Sequence, residues 1–146
     1  MEKISFQEAI SIVEMNYRAG AVGFREMEKA LEFFSLDWSP VPGLHGFNDV
    51  DIFKSIGIEA SGNVLVVSWY SYINEVAFLV AGEKLLSMVS GYVEVCSERL
   101  FNNGDVLFFL INDQKVVYVH DEGVYAVASG DDLRGAIASL RINCKG

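Results

Sequence analysis

The run "VLVVSWYSYINEVAFLV", residues 64–80, carries a single charged side chain, Glu75. A membrane-spanning helix needs about 20 predominantly apolar residues, and polar residues interrupt the middle of this run: Ser68, Ser71, Asn74 and Glu75. The remaining residues are mostly β-branched or aromatic, which is typical of strands. We therefore predict an antiparallel hairpin in which 64–70 pairs with 75–81 through a connection at 71–74.

Helical signals precede this hairpin. Ser5-Phe6-Gln7-Glu8 has the spacing of a capping box, with Ile4 placed as a hydrophobic staple. Apolar residues then recur at helical intervals as far as Tyr17, and a second apolar stripe follows over 24–34. The sequence thus predicts two N-terminal helices.

Two further segments flank the predicted sheet, one before it and one after it. Residues 37–49 hold both prolines and predict an ordered loop, followed by a short helix or strand near 50–56. At the other end, Ser129-Gly130-Asp131-Asp132 predicts the cap of a final helix, which carries a clean apolar stripe.

Between these helical regions, from residue 58 onward, short β-rich runs alternate with turn signals. Residues 92–101 fit either a strand or a helix. We predict one α+β domain over 1–146, with N-terminal helices, an antiparallel meander sheet of about six strands and a C-terminal helix. The turn signals lie at 61–63, 71–74, 82–83, 90–91, 102–105, 112–114 and 121–123.

Two of the predicted strands are apolar on both faces: "VLVV" at 64–67 and "VLFFLI" at 106–111. An antiparallel sheet with one solvated face shows alternation instead. The second face must therefore be covered, either within the same chain, by helices or by curling of the sheet, or by another chain. We favour cover within the chain, because large exposed apolar patches are uncommon on monomers.

The N-terminus lacks a basic start followed by an apolar run, so no signal peptide is predicted. Cys96 and Cys144 are too few and too far apart for a disulfide framework or a zinc site, and we interpret them as reduced thiols. These observations predict a cytoplasmic protein.

Candidate catalytic groups are few. His120 stands at a predicted strand end beside Asp121 and Glu122, where it has the surroundings of a general base, or of a partly solvated turn residue. A pair with Cys96 is the other catalytic possibility, but no nucleophile signature surrounds the cysteine. We interpret both as non-catalytic and predict that the protein is not an enzyme.

No cofactor or metal site is predicted. His45, Asp49 and Asp51 match neither a zinc signature nor an EF-hand loop. Asp49 and Asp51 have the chemistry to hold a hard cation, but a capping or loop role is favoured. The glycines spell neither a dinucleotide fingerprint nor a P-loop.

The distribution of charge is the most informative feature. The formal net charge is −9, from 20 acids and 11 bases, and two tracts without Lys or Arg, 30–53 and 116–133, carry −8 of it. Nucleic acids and anionic membranes select basic surfaces, so neither is a predicted partner. Concentrated acids fit a basic protein partner, and ordinary solubility with helix capping is the alternative.

Aromatic residues adjoin both tracts, and aromatics beside charge are typical of interface anchors. They are Trp38 and Phe47 in the first tract and Tyr118 and Tyr125 in the second. We predict that the 121–123 turn and the 131–132 cap project from one end of the sheet. The predicted partner-binding residues are Asp121, Glu122, Asp131, Asp132, Asp49, Asp51 and Trp38.

The acidic loops "HDEG" and "SGDD" in a short α+β chain without a catalytic constellation resemble bacterial toxin-immunity proteins, of the kind that accompany contact-dependent inhibition and type VI secretion. The order of helices, sheet and helix is also similar to that of the SUKH immunity superfamily. The resemblance implies stoichiometric neutralisation of a cognate toxin, such as a nuclease with a basic cleft. It carries over no individual residue. We expect the protein to be a monomer or weak homodimer.

Two other classes of function stay open. A small-molecule module or enzyme would use a curled sheet as a cup, with His120, Tyr118 or Trp69 inside. An assembly subunit would pack its two-sided apolar strands against identical neighbours.

Overall fold

The structure, a computed structural model, describes residues 1–42, 48–101 and 104–145, with side chains as far as residue 142. A short 3-10 turn, Gly82–Lys84, leads from the fourth strand into the fifth helix. The described elements are, in chain order, β1 Glu2–Ser5, α1 Phe6–Tyr17, α2 Phe24–Phe33, β2 Ser39–Pro40, α3 Asp49–Ser55, β3 Asn63–Val67, α4 Trp69–Asn74, β4 Val76–Ala81, α5 Leu85–Cys96, β5 Val106–Leu110, β6 Lys115–His120, β7 Val124–Ser129 and α6 Gly130–Lys145.

The strands form one antiparallel sheet in the order β1-β4-β3-β5-β6-β7-β2. The predicted α+β class is therefore confirmed, with seven strands in the described residues where about six were expected. The edge strands β1 and β2 lie in segments beside the N-terminal helices where no strand was predicted. Pro40 lies on the outermost strand, where a missing N–H interrupts no central ladder.

The predicted pairing within 64–81 is confirmed, since Val64 pairs with Val80 and Val66 with Phe78. The predicted strand is too long, however, because β3 ends at Val67 and the connection is the helical turn α4. Ser68 is the N-cap residue of that turn, and its backbone N–H donates a hydrogen bond to Ser71 Oγ at 3.0 Å. Trp69 thereby leaves the sheet and is 40% exposed, so it is not the buried packing residue that a strand position would make it.

The fully apolar strands are explained by helices on both faces of the sheet. On one face, Leu65, Val67 and Phe109 belong to a core with the first two helices and the last. On the other face, Val64, Val66 and Phe108 pack with α3 and α5. Cover within the chain, the favoured expectation, is what the structure shows.

The predicted helix boundaries are confirmed at both ends of the chain. The Glu8 N–H donates to Ser5 Oγ at 3.1 Å, and Arg18 ends α1 in the left-handed conformation. At α6, Ser129 and Asp132 exchange hydrogen bonds of 2.9 and 3.0 Å in a reciprocal cap. The segment near 50–56 is a helix, α3, whose cap is Asn48.

The prediction of a continuous meander of strands is wrong, because α5 lies between β4 and β5. The turn expected at 90–91 is inside this helix, and the undecided segment 92–101 is helical as far as Cys96. The buried residues of α5 follow a helical spacing: Leu85, Met88, Val89, Tyr92 and Cys96. Packing of this stripe on the sheet outweighs the β-branched residues and the internal Gly91.

Some expectations fall outside the described residues: those on His45 and Phe47, the Asn102-Asn103 part of one turn, and the side chain of Cys144. Within the described residues, no helix has both the length and the apolar character required to cross a bilayer.

Candidate functional site

A group of interacting polar side chains lies where β6 enters the turn at Asp121. Tyr118 and His120 alternate along β6 and so point to the same face, the one covered by α2. Glu32 comes from the last turn of α2. Asp105 precedes β5, whose first residue pairs with Val119. We call Glu32, Asp105, Tyr118 and His120 the His120 cluster.

One phenol faces two carboxylates in this cluster. The Tyr118 hydroxyl lies 2.7 Å from Glu32 Oε1 and 2.9 Å from Asp105 Oδ2. Burial, the hydrogen bond to Glu32 and nearby acids raise the pKa of Tyr118 far above its usual value, so the hydroxyl keeps its proton. Since a phenol has only one proton to donate, it satisfies one of the two oxygens at a time.

His120 connects the cluster to the turn. Its Nε2 lies 3.0 Å from Glu32 Oε1, and its Nδ1 lies 3.0 Å from the Glu122 backbone nitrogen. Because that N–H requires a lone pair on Nδ1, we assign the ring proton to Nε2, which donates to Glu32. In this tautomer the Asp121 Oδ1, 3.1 Å away, faces the same lone pair on Nδ1.

Two further contacts hold the turn and its aromatic neighbour. Asp105 Oδ1 accepts the Asp121 N–H at 2.8 Å, which ties the start of β5 to the turn after β6. Trp38 packs edge-on against Tyr118 and His120, with ring centroids 5.5 and 6.2 Å apart. β2 positions this tryptophan, because Ser39 pairs with Tyr125 on β7.

A second acid of α2, Glu28, is buried beside the cluster. It is 4% exposed and lies one helical turn before Glu32, on the same side of the helix. Burial raises its pKa to about 7, and the charges of Asp105 and Glu32 add to the rise. Tyr72 opposes that rise, but neither Tyr72 Oη nor Glu28 Oε1 makes a hydrogen bond of normal geometry within the described residues.

The surface above the cluster is a shallow depression of about 290 Å³. It is lined by Glu32, Trp38, His120, Glu122 and Val124. A larger depression of about 370 Å³ lies near α3 and the turn after β4, and its charged lining residues are Lys54, Glu59 and Glu83. The smaller depression combines aromatic and ionisable side chains in contact with each other.

Three of the predicted partner-binding residues meet at this place. Trp38 contacts His120, and Asp121 and Glu122 form the adjoining turn. Both turn acids are exposed.

Asp131 and Asp132 do not join them, and the expectation that both acidic pairs share one end of the sheet is wrong. β7 runs from Val124, opposite His120, to Ser129, opposite Lys115, so the 131–132 cap lies at the other end. Six residues of strand separate the two ends, a distance of roughly 20 Å. Asp131 pairs with Arg134, and Asp132 caps α6.

Asp49 is a structural residue. It is 5% exposed, pairs with Arg99 at 3.2 Å, and accepts the backbone N–H of Leu100. Asp51, two residues later, is exposed in the first turn of α3. A direct role in partner binding therefore fits Asp51 and does not fit Asp49.

Cys96 and His120 are not brought together, because they belong to opposite faces of the sheet. Cys96 is buried, and burial raises the pKa of its thiol, which disfavours the reactive thiolate.

Sequence reasoning did not single out Asp105 or Glu28. A usable signal existed for Asp105, because a hairpin centred between residues 112 and 113 places it opposite His120. The Asp105–His120 pair could be predicted only if the centre of the turn between β5 and β6 were known to within half a residue. For Glu28 the signal is its spacing of four from Glu32, although no local pattern shows that it is buried.

No protein-family model, curated protein or solved structure matches this chain.

Proposed function

We propose that the protein binds and neutralises a basic protein partner, as an immunity protein neutralises its cognate toxin domain. The observation that carries the proposal is that the two tracts without Lys or Arg meet at one surface. Glu32 and Trp38 of the first tract contact Tyr118 and His120 of the second. We call Glu32, Trp38, Asp121 and Glu122 the Trp38 face.

The Trp38 face combines two properties of a recognition surface. Its three acids are exposed, on a helix end and on a tight turn, so their field extends into solvent. Trp38 is half-buried and held against two rings, so it offers apolar area at little cost in conformational entropy. Charge of one sign speeds encounter with a partner of the other sign, and an ordered aromatic slows release.

Neutralisation of this kind is stoichiometric and requires no catalytic group on this chain. A nuclease domain with a basic cleft is the class of toxin that the charge fits, because an acidic surface competes with the phosphates of the substrate. We further propose that binding takes place in the cytoplasm, with the protein as a monomer or weak homodimer.

The test uses the protein encoded beside this chain, if it has a secreted, variable C-terminal domain. We expect the domain to be toxic when expressed alone and tolerated with this chain. The double variant Asp121→Lys/Glu122→Lys should slow association by at least about tenfold at low salt, since reversing exposed charges acts mainly on the association rate.

The matched control is Glu83→Lys/Glu94→Lys, which reverses two exposed acids near and on α5. It should leave the association rate within about twofold, because these positions lie outside the Trp38 face. Equal slowing by both double variants, or a rate indifferent to salt and to reversal, would contradict recognition through this face. Absence of any complex with the toxic domain would contradict the immunity role.

Small-molecule binding in the depression is the second candidate, favoured by Trp38, His120 and Glu32 in its lining. Its volume of about 290 Å³ falls just below the usual range for ligand pockets, roughly 300–1,000 Å³, and it is open to solvent. The observation that suggested an assembly subunit no longer supports it, because helices of the same chain cover both faces of the apolar strands.

A further inference from the structure

We propose that Glu32, Asp105 and His120 form a site for one divalent transition-metal ion, such as Zn²⁺ or Mn²⁺. The proposal does not depend on a protein partner. Each residue offers one ligand atom, and these three atoms all lie within 4.8 Å of one another.

The spacing allows one ion to reach all three ligands after a modest side-chain adjustment. Ligand atoms bound tetrahedrally to one ion at about 2.1 Å lie about 3.4 Å apart. A pair 4.8 Å apart would have to close by about 1.4 Å, whereas Glu32 Oε1 is already 3.0 Å from His120 Nε2. Glu32 is one-third exposed, so its side chain is free to make that adjustment.

Glu28 is the independent observation that points to a cation. Its Oε1 is buried without a hydrogen bond of normal geometry in the described residues, and it lies one helical turn before Glu32 on the same side of α2. Three carboxyl groups thus lie near one partly buried place, where the donors are the Tyr118 hydroxyl, the His120 ring and the Asp121 backbone N–H. A bound cation would neutralise charge that these donors leave uncompensated.

The Tyr118 hydroxyl links the two carboxylate ligands of the proposed site. It stands within hydrogen-bond distance of both Glu32 Oε1 and Asp105 Oδ2 with one proton to give. An ion between the two carboxylates would bind the Glu32 oxygen that His120 Nε2–H otherwise satisfies. Tyr118 would then act as a donor that orients one ligand.

Asp121 is placed to orient His120 as a metal ligand. If the ring proton moves from Nε2 to Nδ1, Nε2 offers a lone pair to the ion and Nδ1–H donates to Asp121 Oδ1 at 3.1 Å. A carboxylate behind a metal-bound histidine is a frequent arrangement. In this tautomer the Glu122 N–H loses its acceptor on His120. Because Glu122 is on an exposed turn, a water molecule can accept that hydrogen bond instead.

The ligand set selects the class of ion. Imidazole suits Zn²⁺ and other transition metals, and carboxylates suit Mn²⁺ as well, whereas Ca²⁺ prefers a shell of oxygens alone. Glu32 and His120 line a solvent-facing depression, so an ion that they hold together with Asp105 would keep at least one position for water.

The experiment titrates ZnCl₂, and separately MnCl₂, into the full chain after treatment with a chelator. We expect isothermal titration calorimetry to show one ion per chain and the melting temperature to rise with ion concentration. Asp105→Asn and His120→Gln should each weaken binding at least about tenfold, and Asp121→Asn should weaken it by about tenfold through the orientation of His120.

Glu94→Gln, which removes an exposed acid on α5, is the control and should bind like the unmodified chain. Circular dichroism and metal-free melting establish that each variant is folded, and Glu32→Gln, at a partly exposed position, replaces any variant that is not. Electron paramagnetic resonance of Mn²⁺ reports binding independently of the cysteine thiols, because Mn²⁺ prefers carboxylate ligands. Failure of both ions to bind at millimolar concentration, or unchanged binding by Asp105→Asn/His120→Gln, would overturn the proposal.

Discussion

Two carboxylates one helical turn apart on α2 have opposite surroundings. Glu32 is partly exposed and accepts hydrogen bonds from Tyr118 and His120. Glu28 is 4% exposed, and its Oε1 has no partner in the described residues. Burying a charged group without compensation is unfavourable, and a carboxyl group avoids the cost by keeping its proton.

Glu28→Gln should therefore stabilise the protein at pH 8 and change little at pH 5. The pKa of Glu28 rises from 4.5 to about 7 on folding, so stability is lost as pH rises through this interval. The pKa difference corresponds to about 3 kcal/mol once pH is above 7. Urea unfolding at both pH values, with a chelator present, measures the gain.

Glu26→Gln is the matched control, because Glu26 is exposed on the same helix and its loss removes the same charge. It should shift stability by less than about 0.5 kcal/mol at either pH. A gain for Glu28→Gln that is the same at pH 5 and pH 8 would show that the burial of charge is not its cause.

At the scale of elements, one side chain makes the polar link between α3 and the segment after α5. Asp49, in the first turn of α3, pairs with Arg99 and accepts the N–H of Leu100. The helix has seven residues and depends on tertiary contacts for its stability. Besides this polar link, Ile52 and Phe53 attach α3 to the core it shares with α5.

Asp49→Ala should destabilise the protein by about 2 to 3 kcal/mol, because it leaves the buried Leu100 N–H without an acceptor while Arg99 can still reach water. Asp49→Asn, which keeps one acceptor oxygen, should cost less. Thermal and urea unfolding measure both. Asp51→Ala, an exposed position in the same helical turn, should cost under about 1 kcal/mol. Equal losses at Asp49 and Asp51 would contradict the structural role of Asp49.

At the scale of the molecule, the net charge of −9 opposes compaction. Acids outnumber bases by nearly two to one, and four of them, Glu32, Asp105, Asp121 and Glu122, gather at one end of the sheet. Screening of this repulsion should stabilise the fold, because the Debye length falls to about 10 Å at 0.1 M salt.

We expect the melting temperature to rise by about 3 °C between low salt and about 0.2 M NaCl, a change worth roughly 1 kcal/mol for a chain of this size. Calorimetry at several salt concentrations measures it. Glu83→Lys/Glu94→Lys changes the net charge from −9 to −5 and should reduce the response. A melting temperature that falls with salt would mean that favourable ion pairs outweigh the repulsion.

The sequence by itself determined the features that depend on neighbouring residues. Ser5 and Ser129 cap their helices as predicted, since a capping side chain reaches only two or three residues along the chain. The apolar run 64–80 predicted the pairing of β3 with β4, because two strand-forming segments joined by a short connection meet each other first.

Only the tertiary structure decided the features that depend on packing between distant segments. A run such as Leu85–Cys96 contains strand-forming residues, and its helical stripe prevails because it covers one face of the sheet. Tyr118 and His120 reach Glu32 across 86 and 88 residues of chain, and the register of β5 on β6 places Asp105 beside them. No local pattern encodes these distances, because the packing of α2 and the strand register set them together.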